Sequence, residues 1–367
     1  MKIIHCGDLH LDADLRTRFD AAEAAERRAE LLNTFRRLCL YANEQGVGAV
    51  LICGDLFDTE SPSSSSVRTV EDLILENGGI LFFYLRGNHD GRTALFKTRK
   101  KPDNLFLFGD DWASWELSEE GIRGRRVCIA GREPSGAPFS SPVLDGSCLN
   151  IVMLHGQVRE GYAGPDPESV PLSALRGCGI DYLALGHLHH YRSFPLDKRG
   201  RGAYCGCLEG RGFDECGPCG FILIDTDTPA ASPSIRFIPF ASRTLYSVDC
   251  AVTGCSSDTE IYERISGALD SSSAAEKDLV RLQLTGELEY GCSPDPAFIR
   301  SQWEGLYHYF EYCDRTVPVV HSEEFLCDAT LKGEFVRVVS AAEGLSERER
   351  TRILRCGLRA LSGDSLF

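Results

Sequence analysis

The sequence predicts an α/β fold with a larger amino-terminal domain and a smaller carboxyl-terminal one. The chain has 367 residues, enough for about two domains. Apolar strand-like segments alternate with helical patterns near the amino terminus, which is typical of a sheet with helical crossovers. This alternation begins again after Arg243. We therefore expect domains at residues 1–243 and 244–340, followed by a carboxyl-terminal helical region at 341–367.

The first domain begins with an alternation of strands and helices. Three apolar runs of strand length, at 2–6, 49–53 and 80–85, are each followed within two residues by a glycine and then a polar residue. A helical pattern fills residues 21–45, and a second helix is expected to end near Asn77. Further strands are predicted at 126–130, 149–154, 181–185, 220–224 and 235–240.

The second domain is predicted from a shorter series of the same signals. A strand at 245–252, a helix at 258–269 and a strand at 279–284 follow one another. Residues 346–361 form a terminal helix pattern whose apolar stripe consists of Ile353, Leu354, Leu358 and Leu361. This stripe fits either a partner protein or the remainder of the second domain.

Composition indicates a soluble, reduced and acidic protein. No apolar run approaches the roughly 18 residues of a membrane helix, and no leader pattern is present, so we predict a cytoplasmic location without a membrane partner. The 16 cysteines are expected to be mostly buried thiols. A net charge of −15 argues against general attraction to nucleic acid. Basic clusters at 97–101, 123–126 and 198–201 are either solvated loops or an anion-facing rim.

Five predicted strands are followed by Asp, Asn or His, which are residue types that commonly bind metal ions. The motifs are Gly7-Asp8-Leu9-His10, Gly54-Asp55-Leu56-Phe57-Asp58, Gly87-Asn88-His89-Asp90, His155-Gly156 and Gly186-His187-Leu188-His189. Sites in α/β sheets form beyond the carboxyl ends of the strands, so these side chains are expected to converge. Carboxylate, amide and imidazole ligands suit Mn²⁺, Fe²⁺ or Zn²⁺. Seven such ligands are too many for one tetrahedral ion and suit two ions sharing a carboxylate.

The stretch YLALGHLHHY at 182–191 places three histidines behind one strand. If the segment stays extended, alternate residues point to the same side. His187 and His189 would then face the site, while His190 would point away and be dispensable. The same alternation would bring Asp8 and His10 to the site together.

These motifs resemble the five signatures of the calcineurin-like metallophosphoesterase superfamily, most closely the SbcD-type DNA repair exonuclease subunits. The forms IIHCGDLHLD and LICGDLFD and the loop GRGFDE at 210–215 carry the closer likeness. The resemblance implies a four-layer α/β/β/α sandwich with a smaller α/β cap domain that binds DNA. It also implies one metal held by Asp8, His10, Asp55 and His189, and another held by Asp55, Asn88, His155 and His187.

His89, Asp58 and Asp90 receive roles from the same resemblance, whereas Arg86 departs from the family pattern and Lys100 and Lys101 come from a basic cluster. His89 would face the scissile phosphate, stabilise its charge or protonate the leaving oxygen. Asp58 is expected to hold His89 in place, with Asp90 as the alternative. Arg86, Lys100 and Lys101 are candidate substrate contacts. The cysteines Cys205, Cys207, Cys216 and Cys219 have a spacing that a zinc site could use, but incidental thiols are the favoured explanation, because the family has a glycine-rich loop at this place.

The expected function is a manganese-dependent DNA exonuclease or endonuclease subunit in DNA repair. Its partners would be DNA and an SbcC-like ATPase, and homodimer formation is compatible with the resemblance. The alternative is a metallophosphoesterase that acts on a small phosphoester or a phosphoprotein, because a fold and its metal site do not fix the substrate. A non-catalytic scaffold that docks an ATPase is the third hypothesis.

Overall fold

The computed structural model describes residues 1–90, 95–120, 126–136, 138–161, 166–227, 233–288, 292, 294–318 and 328–362. The chain divides into two compact units, Met1–Thr244 and Leu245–Phe367. Residues 123–125 of one predicted basic cluster lie outside the described residues. Within the part of the chain that is described, no helix is both long and apolar enough to span a membrane.

The first unit contains fourteen strands, two α-helices and a short 3-10 helix (Leu172–Ala174) in its described residues. The strands are β1 (Lys2–Cys6), β2 (Val47–Cys53), β3 (Leu81–Leu85), β4 (Leu105–Leu107), β5 (Ala113–Glu120), β6 (Arg126–Gly131), β7 (Leu149–His155), β8 (Gln157–Arg159), β9 (Ser169–Pro171), β10 (Tyr182–Gly186), β11 (Arg192–Pro195), β12 (Arg201–Tyr204), β13 (Gly220–Asp225) and β14 (Ser234–Pro239). The helices are α1 (Ala21–Glu44) and α2 (Ser64–Glu76).

These strands form two six-stranded sheets. The first has the order β14-β13-β1-β2-β3-β4, and its strands β1 to β4 run parallel. The second has the order β11-β12-β10-β7-β6-β5, with β12, β10, β7 and β6 parallel. One buried core contains side chains from both sheets, for example Leu51 and Phe83 from the first and Ile151 and Ala184 from the second. The predicted α/β class is confirmed.

Helix α1 is well specified by its sequence. The Asp20 carboxylate accepts hydrogen bonds from the backbone of Ala22 and Glu23, and the Glu23 carboxylate accepts one from Asp20 in return. This capping box satisfies backbone donors that a helix start leaves free. The helix buries Leu31 and Phe35 at helical spacing, and the helix predicted at 21–45 is confirmed. The predicted strands near 2–6, 49–53 and 80–85 are also confirmed, with shifts of up to two residues at their ends.

The second unit has its own small core. Its strands are β15 (Leu245–Ala251), β16 (Leu279–Thr285), β17 (Glu287–Leu288), β18 (Tyr309–Asp314) and β19 (Val317–Pro318), and its helices are α3 (Asp258–Ser271), α4 (Pro296–Trp303), α5 (Leu331–Ala341) and α6 (Glu347–Ser362). Strands β15, β16 and β18 form a parallel sheet. Its core is separate from that of the first unit.

The terminal helix α6 buries two of the four side chains of its predicted apolar stripe within its own unit. Leu354 and Leu358 are buried in a cluster with Val336 and Val339 of α5. Ile353 and Leu361 of the same stripe are exposed. The helix thus packs on α5 and leaves part of its apolar stripe facing solvent.

Candidate metal centre

The candidate ligands converge because the ends of strands from both sheets meet. Asp8 and His10 follow β1, Asp55 follows β2, and Asn88 follows β3, all in the first sheet. From the second sheet, His155 ends β7, and His187 and His189 follow β10. The backbone N–H of His187 donates to both Asp8 carboxylate oxygens, at 2.8 and 3.0 Å. The two sheets therefore contact each other directly at this edge.

One group of possible ligands consists of Asp8, His10 and His189. Their donor atoms all lie within 4.8 Å of one another. The Nε2 atoms of His10 and His189 face each other at 3.2 Å. Asp55 Oδ2 lies 3.6 Å from His10 Nε2. These three residues belong to the set expected for the first metal, but Asp8 also lies in the second group, so the division of ligands between two metals stays a prediction.

A second group consists of Asp8, Asp55 and His155, again within 4.8 Å. His155 Nε2 lies 3.5 Å from Asp55 Oδ2 and 2.9 Å from Asn88 Oδ1. The rings of His155 and His187 have centroids 5.3 Å apart. Asp55 Oδ2 thus lies at nearly the same distance from one imidazole of each group, as a bridging carboxylate would.

The Asp55 carboxylate is held in this orientation by the backbone. Its other oxygen, Oδ1, accepts a hydrogen bond of 3.0 Å from the His89 N–H. The neighbouring Gly87 has no room for a side chain, because a Cβ there would lie 2.1 Å from Asp55 Oδ1. Likewise a Cβ at Gly186 would lie 1.8 Å from the Cys53 carbonyl oxygen. Glycine at both positions allows the strand ends to approach this closely.

The extended conformation expected for these segments is wrong. Asp8, His10 and Asp55 have φ values of 50°, 44° and 50°. These values lie in the left-handed region, which residues other than glycine rarely adopt. His187 has a φ of 103°. The loops are instead fixed by backbone hydrogen bonds, from Asp8 N to Gly54 O and from His10 N to Asp55 O. Asp8 and His10 reach the same site through a tight turn, not through strand alternation.

The electrostatics of the centre favour a cation. Burial raises the pKa of the Asp8 carboxyl well above its usual value, and the nearby Asp55 carboxylate raises it further. Burial lowers the pKa of His155 to about 4 and also lowers that of His10. The His155 Nδ1 lies 2.9 Å from the Cys53 carbonyl oxygen, so Nδ1 carries the proton and Nε2 presents its lone pair to the centre. Neutral imidazoles beside crowded carboxylates form a donor set that suits divalent metal ions.

Two residues that sequence reasoning did not assign to the site support it. Glu215 is 1% exposed, and its Oε1 lies 2.8 Å from His189 Nδ1. Arg211 donates to Glu215 Oε1 at 2.6 Å and to Asp58 Oδ1 at 2.8 Å. A carboxylate on the far nitrogen of a metal-binding histidine fixes its tautomer and orientation. In the sequence, the GRGFDE loop carries a likeness to a family but no role at the site. The signal for such a role is its pair of opposite charges, Arg211 and Glu215.

Asp58 contacts a different histidine more closely than the expected one. Its Oδ1 lies 2.8 Å from His10 Nδ1 but 3.9 Å from His89 Nδ1. Asp90 is buried and accepts hydrogen bonds from the backbone N–H groups of Leu56, Phe57 and Gly87. Asp90 therefore braces the loops, and of the two carboxylates Asp58 lies nearer the His89 ring. The role of Asp58 as a holder of His89 stays a prediction.

The three candidate substrate contacts lie in two different places. Arg86 precedes Gly87 and is paired with the Glu133 carboxylate. Lys101 donates to the Leu105 carbonyl at 2.5 Å, at the amino end of β4. Because β4 runs parallel to β3, this is the edge opposite the metal ligands. Lys100 is exposed in the same segment. The structure does not bring these two lysines to the site, and their substrate role stays a prediction.

The remaining sequence candidates are not members of the ligand groups. His190 is exposed, unlike the half-buried His187 and His189. The sulfur atoms of Cys207 and Cys219 lie 3.3 Å apart, whereas Cys216 Sγ contacts the Phe213 carbonyl and Cys205 Sγ contacts the Leu185 carbonyl. Within the described residues these four cysteines form no metal-ligand group.

A two-sheet α/β unit with carboxylates and imidazoles at its strand ends defines a candidate metal-dependent hydrolase. The sequence model of the calcineurin-like phosphoesterase family matches residues 1–191, more than half of the chain. The chain therefore belongs to the calcineurin-like phosphoesterase family. Membership confirms the superfamily resemblance, whereas the closer likeness to SbcD-type subunits stays a prediction.

Two known proteins illustrate the similarity. YhaO of Bacillus subtilis (strain 168), an uncharacterized metallophosphoesterase, is 27% identical over 247 residues, which cover 61% of this chain and 57% of that protein. The matched region thus spans little more than half of that relative. The crystal structure of TT1561 of Thermus thermophilus shows 11% identity and a TM-score of 0.38, over 64% of this chain and 98% of the other.

We expect Asp55→Asn to weaken binding at both metal positions. The substitution keeps the size of the side chain but removes the charge between His10 and His155. The loss should exceed the roughly 10–100-fold cost of removing a supporting partner of a ligand. Titration calorimetry with Mn²⁺ measures it, and His190→Ala serves as the control that retains both sites. Two undiminished sites in Asp55→Asn would contradict the bridging assignment.

We expect Glu215→Gln to weaken one metal position and spare the other. The amide cannot replace the carboxylate that orients His189, so affinity at that position should fall about 10–100-fold. Asp214→Asn is a matched control, because Asp214 lies in the same loop but pairs with Arg18 at the surface. Equal Mn²⁺ titration curves for the two variants would show that Glu215 does not position His189.

Proposed function

We propose that the chain is a dinuclear metal-dependent phosphodiesterase, and more specifically a DNA exonuclease or endonuclease subunit. The observation that carries the phosphodiesterase proposal is the placement of Asp55 Oδ2, 3.6 Å from His10 Nε2 and 3.5 Å from His155 Nε2. Such a carboxylate suits two ions about 3.5–4 Å apart, the arrangement used for phosphate ester cleavage. Manganese is the metal we propose, with Fe²⁺ and Zn²⁺ as alternatives.

The side chains of the centre divide the work of hydrolysis. Asp8, His10, Asp55 and His189 would hold one cation, and Asp55, Asn88, His155 and His187 the other. Two bound divalent cations supply an acidified water as nucleophile and neutralise charge on the phosphate. His89 is the exposed imidazole of the site, with its side chain 45% accessible, and its ring lies 4.9 Å from that of His10. Its proposed role is to donate a proton to the leaving oxygen or to stabilise phosphate charge.

The DNA substrate is supported by the sequence resemblance and by the form of the site. The SbcD-type motifs and a second α/β unit after residue 244 favour a nuclease with a DNA-binding cap in a four-layer sandwich. The exposed His89 ring can be reached by a large substrate as well as by a small one. An SbcC-like ATPase partner, a role in DNA repair, a homodimer and a cytoplasmic location remain further predictions from the same resemblance.

The second candidate is hydrolysis of a small phosphoester or a phosphoprotein. It is favoured by the net charge of −15 and by the position of Lys101 on the edge opposite the metal ligands. Both facts reduce the positive surface that a DNA backbone requires near the centre. The two candidates share the same chemistry and differ in substrate.

A nuclease assay separates the two candidates. We expect Mn²⁺-dependent cleavage of double-stranded or single-stranded DNA that is lost with a chelator and falls steeply with salt, since phosphate contacts release counterions. Hydrolysis of a generic phosphodiester is measured in parallel. Ester hydrolysis without any DNA cleavage would favour the second candidate, and no hydrolysis of either substrate with Mn²⁺, Fe²⁺ or Zn²⁺ would contradict both.

We expect His89→Ala to reduce kcat about 10²–10⁴-fold, the usual contribution of a positioned proton donor. Metal stoichiometry should stay at two, because His89 is not among the proposed ligands. The comparison with His190→Ala controls for the loss of a nearby imidazole. Full activity of the metal-loaded His89→Ala protein would remove His89 from the mechanism.

A further inference from the structure

A cavity adjoins the candidate metal centre. It has a volume of about 280 Å³ and is lined by Tyr84, Arg86, Leu95, Leu107, Phe108, Gly109, Asp110 and Glu133. The metal centre lies beyond β1, β2 and β3 of one sheet and beyond β7 and β10 of the other. The cavity lies beyond β3 and β4, and beyond β6, which is the neighbour of β7. The cavity therefore lies at the same edge of the two sheets as the metal centre, one strand further along each sheet.

The cavity is close enough to the centre to hold part of the same substrate. Arg86 in its wall is followed two residues later by Asn88, whose Oδ1 lies 2.9 Å from His155 Nε2. Two residues of chain span at most about 7 Å. The wall of the cavity and the ligand Asn88 thus belong to the same short turn after β3, and this turn is the path that we propose for a group attached to the phosphate.

The walls of the cavity are fixed by hydrogen bonds between neighbouring strand ends. The Phe108 N–H donates to the Tyr84 carbonyl at 3.0 Å, and the Glu133 N–H donates to the Gly109 carbonyl at 2.8 Å. Glu133 Oε1 in turn accepts from the Arg86 N–H at 3.1 Å. Backbone from β3, β4 and β6 is thus tied together around the space. A preformed cavity of this kind binds a ligand without first being ordered.

Its chemistry does not suit a second phosphate. The Arg86 guanidinium donates through Nε to Glu133 Oε2 at 2.8 Å, so its charge is compensated by a buried carboxylate. Asp110 adds a further negative charge to the wall. The rest of the lining is apolar or aromatic, namely Tyr84, Leu95, Leu107 and Phe108. The space therefore favours a neutral, flat and mainly apolar group that can lie against a guanidinium plane.

We propose that this cavity, which we call the β3–β4 cavity, binds a nucleobase of the substrate next to the scissile phosphate. The inference rests on the proposed phosphodiesterase function and adds the substrate class, a nucleoside phosphodiester. A nucleobase is neutral and planar, and its attachment through one sugar matches the short path from the metals. The cavity, slightly smaller than the roughly 300–1,000 Å³ of drug-sized ligand pockets, accepts one base and excludes a duplex.

The test replaces a residue that lines the cavity with a larger one, so that the new side chain occupies the space. Gly109 has open space where a Cβ would stand and a φ outside the left-handed region, so Gly109→Phe adds a ring without backbone strain. Gly79 has the same properties at the opposite edge, before β3, so Gly79→Phe is the matched control. Leu107→Glu is a second variant, which places a charge in the cavity from another wall.

The measurement compares two esters with the same leaving group. Thymidine 5′-(4-nitrophenyl phosphate) carries a base, whereas methyl 4-nitrophenyl phosphate does not. We expect the wild-type protein and Gly79→Phe to prefer the nucleoside ester in kcat/KM by about 5- to 150-fold, the range for stacking of one base. Gly109→Phe and Leu107→Glu should lose most of this preference. Calorimetric binding of thymidine 5′-monophosphate against ribose 5-phosphate, with Mn²⁺ present, gives the same comparison without turnover.

The outcomes separate this inference from the DNA proposal. A base preference that both cavity variants abolish supports the inference even if DNA is not cleaved, in which case only the DNA proposal fails. DNA cleavage without a base preference in either measurement overturns the inference and leaves the proposed function standing. A base preference that survives in both variants places the base elsewhere and also overturns it.

Discussion

The position of one carboxylate depends on the packing of the two sheets. Asp55 follows β2 of the first sheet, yet its Oδ2 is 3.5 Å from His155 of the second sheet and 3.6 Å from His10 of the first. The mixed core of both sheets and the hydrogen bond from His187 N–H to Asp8 set this spacing. A shift between the sheets would change the distance from Asp55 to His155 relative to the distance from Asp55 to His10. Close packing resists such shifts, since protein interiors have few voids.

A second set of hydrogen bonds connects helix α1 to the loop that supports the metal ligands. The buried Arg27 donates to the Gly210 carbonyl at 2.6 Å, and the Thr34 hydroxyl donates to Glu209 at 2.7 Å. These bonds anchor the start of the loop that holds Arg211 and Glu215 against Asp58 and His189. The helix thus supports two ligands, His10 and His189, that it does not touch itself. Supporting shells of this kind set the orientation of metal-binding imidazoles.

Without bound cations, the residues of the metal centre lower the stability of the fold. Asp8 and Asp55 are 1% and 2% exposed, and buried carboxylates are unfavourable unless they are paired. Four non-glycine residues of the centre, namely Asp8, His10, Asp55 and His187, have positive φ values, each of which costs on the order of 1 kcal/mol or more. Close glycine contacts and backbone hydrogen bonds hold this arrangement in place. Bound cations would offset the charge cost, so metal binding and stability are expected to be coupled.

The sequence by itself determined the α/β class, the main strands and helices, and the edge at which the candidate ligands collect. Glycine-polar pairs after apolar runs are local signals, and the ends of parallel strands must meet at one edge. It did not determine the left-handed turns at Asp8 and His10, since rare backbone angles are imposed by long-range hydrogen bonds. Nor did it show that Asp58 lies closest to His10, that Glu215 supports His189, or that Lys101 faces the opposite edge. Only the tertiary structure decided these, because each depends on side chains far apart in sequence that meet when the two sheets pack.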